Sequence, residues 1–308
     1  MDTAALLDQT NIELGDGGSL FLSFVLAMMI FAVALGLRPS NFAFFKKDPK
    51  HFLAGAFAQL LGLPLLTLIL VHILDPAPSL ALGMILVSCC PGGNVSNIMA
   101  LFARANTALS VSMTATSSLA AAFLTPISIL FWSSLYAPTN NLLTTIDFNP
   151  VNFLIQSMFI LALPICAGML IAWKYPRHAM RLQKPLAMIS GGALILIIVA
   201  TFYQFRHLVP QFGALIVPLV MIHNLAAFAL GYTSGLVTKA DIPTRRALTI
   251  EVGIQNSGLG FVLLVTQLAG LGGAAAITAF WGLWHIVAGL TIVGLFRYSD
   301  KRTGRVHV

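Results

Sequence analysis

The chain has 308 residues, a length that for a soluble protein would suggest about two domains. Because 58% of the residues are hydrophobic, only 9% are charged and the mean hydropathy is +0.89, the composition excludes a soluble globular protein and predicts a polytopic all-α membrane protein. The net charge is +7, but the basic residues are spread through short loops between apolar runs, which argues against nucleic acid as a partner and for a lipid bilayer.

The N-terminal tail, residues 1–18, carries Asp2, Asp8, Glu13 and Asp16 and no basic residue. A secretory signal peptide begins with the opposite charge. We therefore expect no cleavable signal, and we expect the first apolar segment to remain in the mature protein.

Runs of about twenty apolar residues are long enough to cross a bilayer as helices. The sequence predicts nine such segments. They are residues 19–37, 51–74, 79–103, 107–135, 151–173, 185–205, 212–237, 247–270 and 274–296.

The basic residues predict the orientation of these segments, since cytoplasmic loops are enriched in Lys and Arg. With nine crossings and a cytoplasmic C-terminal tail, 297–308, all basic residues but Arg206 fall on the cytoplasmic side, and the N-terminus lies outside. We therefore expect a multi-pass protein of the plasma membrane. The cytoplasmic set is Arg38, Lys46, Lys47, Lys50, Arg104, Lys174, Arg177, Arg181, Lys184, Lys239, Arg245, Arg246, Arg297, Lys301, Arg302 and Arg305.

Two predicted segments are interrupted near their middle. Pro91, Gly92 and Gly93 interrupt the third, and the stretch from Gly253 to Gly258 interrupts the eighth. These segments run in opposite directions, as they would in an inverted repeat whose first half lacks its opening helix. The alternative is two unrelated glycine-rich packing kinks, because small residues are common at membrane helix contacts.

Glu251 lies beside the second interruption, among apolar and small residues. A carboxylate near the bilayer centre costs roughly 2.5–3.5 kcal/mol on insertion scales, so it normally faces a polar cavity and has a partner. Interrupting a helix also frees backbone carbonyls. Those of Val252 and Ile254, with Glu251 and Gln255, are the oxygen ligands that a hard cation such as Na⁺ prefers.

Further candidate ligands lie near the first interruption. Ser96 and Asn97 follow it, and Ser110 and Thr114 lie four residues apart and so share a helix face. That face would complete a second oxygen shell. The competing interpretation is that the two hydroxyls bond to their own helix backbone.

Three other polar side chains lie deep in predicted segments and need partners. For Gln59 we favour interhelical hydrogen bonding slightly over ion contact, and for His223 a structural role. His285 lies opposite the interruptions if the repeat is right, where it would line a substrate cavity.

No catalytic or transition-metal site is readable. Cys89, Cys90 and Cys166 lie in apolar segments as expected packing residues, with no disulfide framework and no Cys/His ligand spacing. Since no nucleophile, base and orienting group can be assembled, we do not expect an enzyme.

The motifs resemble those of the bile acid:sodium symporter family. The resemblance lies in Cys-Cys-Pro-Gly-Gly-Asn-Val-Ser-Asn at 89–97, Ala-Arg-Ala-Asn-Thr-Ala-Leu-Ser at 103–110, Ala-Leu-Thr-Ile-Glu-Val-Gly-Ile-Gln-Asn-Ser-Gly at 247–258 and Trp-His at 284–285. Together they cover nearly the whole chain in the family's order.

The resemblance implies a core domain, helices within 51–135 and 212–296, that moves against a panel domain, helices within 19–37 and 151–205. It implies two coupling Na⁺ ions and a small organic anion as substrate. The first sodium site would use Ser96, Asn97, Ser110, Thr114 and Glu251. The second would use Gln59, Glu251, Gln255 and the carbonyls of Val252 and Ile254. The substrate site would use Asn94, Asn256 and His285.

Two features depart from the bacterial pattern. The chain lacks the opening helix of ten-helix bacterial members and resembles the nine-helix animal arrangement. Asn94 replaces an expected Thr at the crossing, so the substrate is expected to differ.

The leading hypothesis is sodium-coupled uptake of an organic anion, such as a bile acid or a small carboxylate, by alternating access. Glu251 and two sodium ions sum to about one positive charge, which a monoanion would cancel. The alternatives are a proton-coupled carrier in which Glu251 titrates and a ligand-binding sensor without transport.

Overall fold

The computed structural model describes residues 8, 11–12, 15–146, 148–204 and 209–304, and within these ranges the chain is helical without a regular β-sheet. A short 3₁₀ turn, Pro39–Phe42, and a π turn, Ala58–Gly62, complete the regular structure. The α-helices are α1 Gly15–Leu35, α2 Ala43–Lys47, α3 Pro49–Phe57, α4 Leu63–Leu74, α5 Pro78–Ser88, α6 Asn94–Phe102, α7 Thr107–Ser134, α8 Ala137–Thr145, α9 Pro150–Lys174, α10 Pro176–Gln204, α11 Val209–Val237, α12 Ile242–Gly253, α13 Ser257–Gln267 and α14 Gly272–Arg302.

Seven helical stretches in the described ranges are long and apolar enough to cross a membrane, which confirms a polytopic membrane protein. Each coincides with one of the predicted segments. The main differences are at their ends: α10 begins at Pro176, well before the predicted 185, and α14 continues through Arg302. Hydropathy marks only the part of a helix that lipid surrounds. Because these two helices continue beyond that part with polar and basic residues, the apolar run does not mark their ends. Arg206 and Arg305 lie outside the described residues.

The two remaining predicted segments are each a pair of shorter helices, α5 with α6 and α12 with α13. The first pair is separated at Cys89–Gly93, where Pro91 has no N–H to donate to a helical ladder. The second is separated at Ile254–Asn256, where Ile254 adopts extended backbone angles (φ −120°, ψ 107°). Both predicted interruptions are therefore confirmed as breaks in the helices.

The two breaks lie against each other. Gly92 and Gln255 form an isolated antiparallel bridge, and the N–H of Asn256 donates to the carbonyl of Pro91 over 2.8 Å. Backbone groups freed by each break are thus partly satisfied by the other, as burial inside a membrane protein requires. The side-chain oxygen of Asn256 also caps α13 by accepting from the N–H of Leu259.

The helices pack in a way that surrounds this crossing. α1 packs against α9 and α10, while α5, α11 and α13 pack against α14. α7 packs against α6 and α12, which places its hydroxyl-bearing face beside both breaks. Large side chains such as Phe261 and Trp281 are fully buried between these elements.

The three cysteines are free. Cys89 and Cys90 are buried packing residues as expected, but that expectation is wrong for Cys166, which is exposed on the outer face of α9. A face of a membrane helix can be apolar because it meets lipid rather than the protein core.

Candidate functional site

The carboxylate of Glu251 is fully buried at the end of α12 and is surrounded by hydroxyl groups. Ser96 donates to its Oε1 over 2.7 Å, and Ser110 donates to the same oxygen in a short hydrogen bond. Thr114 donates to Oε2 over 2.8 Å. Three helices, α6, α7 and α12, therefore bring their oxygens to one point.

Asn97 completes this cluster. Its Oδ1 lies 2.8 Å from the hydroxyl of Ser110 and 3.4 Å from that of Thr114. The hydroxyl of Ser96 lies 3.4 Å from that of Thr114. All five residues of the first predicted sodium site, Ser96, Asn97, Ser110, Thr114 and Glu251, thus lie together. The Ser110 and Thr114 hydroxyls face the carboxylate of Glu251 rather than the backbone of their own helix. Sequence spacing alone did not favour this contact.

No ion pair among the described residues involves Glu251. The carboxylate is also not part of a group of His, Cys, Asp or Glu side chains suited to a transition metal in the described ranges. A buried carboxylate that is hydrogen-bonded to neutral oxygens favours a hard monovalent or divalent cation over a soft one.

A second group of oxygens and amides lies on the other side of the break. Gln59 donates from Nε2 to the backbone carbonyl of Glu251 over 3.2 Å and lies 3.4 Å from Oε1 of Gln255. Gln255 donates from its own Nε2 to the carbonyl of Val252 over 2.8 Å. Gln59 therefore makes an interhelical hydrogen bond, as we expect of a buried amide.

The π turn that carries Gln59 was not predicted. Leu63 donates its N–H to the carbonyl of Ala58, five residues back, so the side chain of Gln59 projects from a widened turn. The available signal was Pro64, which cannot donate to a carbonyl one turn earlier. Such turns are frequent at functional sites, and here the turn aims an amide at the α12 break.

Gly92 separates the two groups of oxygens. A Cβ at this position would lie 3.0 Å from Nε2 of Gln59 and 3.1 Å from Oε2 of Glu251. The N–H of Gly92 donates to the hydroxyl of Ser117 over 3.3 Å. The glycine therefore leaves open a space between polar groups that any larger residue would occupy.

The candidate substrate residues are more dispersed. Asn94 is exposed at the first turn of α6, whereas Asn256 is partly buried and contacts a small cavity, about 20 Å³ in volume, between α1 and the crossing. His285 is buried on α14 and is not among the residues that line this cavity. Pro91 lines it beside Asn256, with apolar side chains of α1 and α9 opposite.

His223 has the structural role that we expected. It is fully buried, and its Nε2 lies 2.7 Å from the hydroxyl of Thr67, which itself donates to the carbonyl of Leu63. Because the single hydroxyl proton is used there, Nε2 of His223 is the donor. Its ring packs edge-on against Trp281, with ring centroids 4.7 Å apart.

Comparison with known proteins identifies related chains. The model of the Sodium Bile acid symporter family matches residues 23–212. A protein of Bacillus subtilis (strain 168) named "Uncharacterized sodium-dependent transporter YocS" is 31% identical over 284 residues, which is 92% of this chain and 85% of the relative.

Two eukaryotic relatives share a similar identity. "Probable sodium/metabolite cotransporter BASS1, chloroplastic" of Arabidopsis thaliana is 30% identical, over 82% of this chain and 61% of the relative. "Ileal sodium/bile acid cotransporter" of Homo sapiens is 28% identical, over 78% of this chain and 68% of the relative. The chain therefore spans less than two thirds of the length of the chloroplast protein.

Proposed function

The chain belongs to the sodium bile acid symporter family, and from this premise we propose that it is a symporter that couples the uptake of an organic anion to sodium. Relatives whose names describe sodium-dependent transport or cotransport match most of this chain. The family is one of transporters rather than enzymes, and the protein is a multi-pass membrane protein.

The observation that carries the proposal is the oxygen cluster around Glu251. Six side-chain oxygens from five residues meet there, and three of them belong to hydroxyls with one proton each. The cluster therefore has more oxygen atoms than hydroxyl protons to form hydrogen bonds between them. A sodium ion would accept a lone pair from each oxygen and would balance the buried negative charge, which has no basic partner in the described ranges.

The second sodium ion would lie on the side of Gln59 and Gln255. These amides now donate N–H groups to the carbonyls of Glu251 and Val252. A cation at this point would bind those two carbonyls and the carbonyl of Ile254. The side-chain amides of Gln59 and Gln255 would then turn so that their oxygens, rather than their N–H groups, face the cation. Glu251 would then contribute to both sites, which couples their occupancy.

The organic anion would bind where the two breaks meet. α6 and α13 both begin there, and α6 has no side-chain cap on its free N–H groups. Helix N-termini carry partial positive charge and attract anions. Asn94, Asn256 and His285 are the proposed substrate residues. Since the cavity beside Asn256 is about 20 Å³, room for one water molecule, an anion requires α1 and α9 to move away.

The proposed movement is that of a panel domain, α1, α9 and α10, against a core domain that contains both breaks. α1 packs against α9 and α10, which supports grouping them.

In this proposal the chain crosses the plasma membrane nine times as two inverted repeats, with the N-terminus outside and the C-terminus in the cytoplasm. Arg246, near the start of α12, contacts Ala103 at the end of α6 and Phe296 and Asp300 near the end of α14. These contacts support placing the three helix ends on one side of the membrane.

A screen of the purified protein tests ion and substrate together. Unfolding temperature is measured with a panel of bile acids and small carboxylates in NaCl and in choline chloride of equal ionic strength. We expect sodium to raise the unfolding temperature alone, and one anion to raise it further only in sodium, because ligands stabilise the state that binds them. Absence of any sodium effect would overturn the proposal.

Transport by proteoliposomes separates the rival functions. Sodium-driven uptake of the anion is expected for wild type and is expected to be lost in Glu251→Gln, which keeps the size of the side chain. Uptake driven by a pH gradient in sodium-free buffer would instead indicate a proton-coupled carrier. Binding without any uptake would indicate a sensor.

A further inference from the structure

Helix α11 lies unusually close to α12 along one face. Phe228, Gly231 and Gly235 occur at helical spacing on this face, one and more turns after Asn224. A Cβ on Gly231 or Gly235 would overlap α12, and a Cβ on Gly253 at the end of α12 would overlap the ring of Phe228. The absence of side chains at these glycines therefore brings α11 within hydrogen-bonding distance of the α12 break.

Asn224 makes use of this close approach. It is fully buried, and its Nδ2 donates to the backbone carbonyl of Gly253 over 2.7 Å. Its Oδ1 has no hydrogen-bond partner among the described residues. The orientation of the amide is fixed by chemistry, because the reverse orientation would place an oxygen against the carbonyl of Gly253.

The carbonyl of Gly253 lies at the point where α12 ends. The N–H of Ile254 still donates to the carbonyl of Ile250, but beyond it the backbone is extended. In an extended residue the carbonyls on either side point in roughly opposite directions. Holding the Gly253 carbonyl toward α11 therefore turns the carbonyl of Ile254 away from α11.

His223, the residue next to Asn224, connects α11 to the part of the chain that carries Gln59. His223 bonds to Thr67 of α4 over 2.7 Å, and α4 follows directly on the π turn that carries Gln59. Two adjacent residues of α11 thus connect the α12 break with the helix that presents Gln59. α11 fixes the distance between the groups that lie on either side of the second proposed ion.

We propose that Asn224 is a positioning residue for the second sodium site: its amide fixes the 253–254 peptide so that the carbonyl of Ile254 is presented to the ion. This inference rests on the proposed function. Asn224 itself does not touch sodium. Its loss would leave the carbonyl of Gly253 without a donor, so that the 253–254 peptide would be held only through the N–H of Ile254 and sodium binding would have to order it further.

The test uses the variants Asn224→Leu, which has nearly the same size, and Asn224→Ala. The matched control is Ser234→Ala on the same helix, where the lost hydroxyl bonds to the carbonyl of Gly231 and to no other group in the described part of the chain. For each full-length protein, the unfolding temperature is followed against sodium concentration at constant ionic strength. The readouts are the sodium concentration that gives half of the effect and the steepness of the curve.

Both Asn224 variants are expected to need about 10- to 100-fold more sodium for half of the effect, the usual loss when a group that orients a metal ligand is removed. The curve should also become less steep, because one of two coupled sites is weakened, while at saturating sodium the anion still stabilises the protein. Ser234→Ala should match wild type. A merely structural role would lower the unfolding temperature without moving the sodium midpoint.

The outcomes separate the two proposals. If wild type responds to sodium and either Asn224 variant has the wild-type midpoint and steepness, the role of Asn224 is wrong while the symporter proposal stands. If wild type does not respond to sodium, the proposed function fails first. Should Asn224→Leu not fold, Asn224→Ala carries the test, since its smaller side chain introduces no overlap.

Discussion

Gly92 lies against the carboxylate of Glu251 at the crossing of the two breaks, so closely that a methyl group on its Cα would lie 3.1 Å from Oε2. The same methyl group would lie 3.0 Å from the amide of Gln59. Both are buried side chains held by several hydrogen bonds, and neither can retreat without breaking one. The position therefore favours glycine for space rather than for backbone conformation.

Gly92→Ala is expected to weaken or abolish sodium binding, because the methyl group fills the space between the two proposed ion sites. Overpacking of this kind costs about 1–3 kcal/mol. The measurement is sodium-dependent stabilisation of the purified protein. Gly93→Ala is the matched control, since a Cβ there first meets another atom at 3.9 Å, and it should retain the sodium response. Equal responses of both variants would contradict the assignment.

The hydroxyls of α7 provide a second test. Thr114→Val keeps the shape of the side chain but removes one oxygen of the proposed first sodium site, and a polar contact of this kind with a charged group is worth roughly 1.5–3 kcal/mol. We expect about a tenfold or larger rise in the sodium concentration for half-maximal uptake. Ser112→Ala is the control, because Ser112 is buried on the same helix but its hydroxyl has no partner in the described structure. A similar effect of both substitutions would mean that the helix, rather than the hydroxyl, is what matters.

The buried ion pair of Arg246 and Asp300 is predicted to stabilise the fold. Arg246 donates to both oxygens of Asp300, over 3.0 and 2.5 Å, and also to the carbonyl of Ala103. Asp300→Ala would leave a buried guanidinium without its counter-charge, at a cost of about 3–5 kcal/mol, measured by denaturation in detergent. Lys301→Ala, at the neighbouring exposed position, should have little effect.

The double variant Arg246→Met with Asp300→Leu distinguishes charge from packing in this pair. Removing both charges restores an apolar contact, so it should be clearly less destabilising than Asp300→Ala alone. A double variant that is at least as unstable would show that the hydrogen bonds to Ala103 and Phe296, rather than the uncompensated charge, dominate.

Tyr136, in the turn between α7 and α8, predicts an alkaline effect. Burial, and then the hydrogen bond to Asp75, raises the pKa of its phenol to about 12 from an unfolded value near 10. A raised pKa means that the stabilisation is present below pH 10 and is lost as the pH rises toward 12. Tyr136→Phe should remove this part of the alkaline destabilisation. An unchanged pH profile between 10 and 12 would refute the assignment.

Much of this arrangement was readable from local sequence. Residues that disfavour a helix are clustered at two places inside apolar runs, so Pro91-Gly92-Gly93 and the stretch after Glu251 marked both breaks. Hydropathy marked the remaining spans, though it placed the start of α10 too late. The family motifs carried the candidate ligands Ser96, Asn97, Ser110, Thr114 and Glu251 to positions that the fold brings together.

Other features depended on contacts that local sequence does not encode. The role of Asn224 requires the close approach of α11 to α12, and the direction of Gln59 requires the π turn. Cys166 has the same apolar surroundings in sequence as Cys89, yet it lies on the outer face of its helix. Hydropathy cannot separate a lipid-facing side from a core-facing side when both are apolar.

The sequence by itself determined that the chain is a membrane protein with two interrupted helices and one acid at the second interruption, because composition and helix-breaking residues act locally. Only the tertiary structure decided that hydroxyls from α6 and α7 meet that acid and that Asn224 holds the carbonyl beside it. These contacts join residues up to 155 positions apart, and such distances are closed by the packing of whole helices rather than by any neighbouring residue.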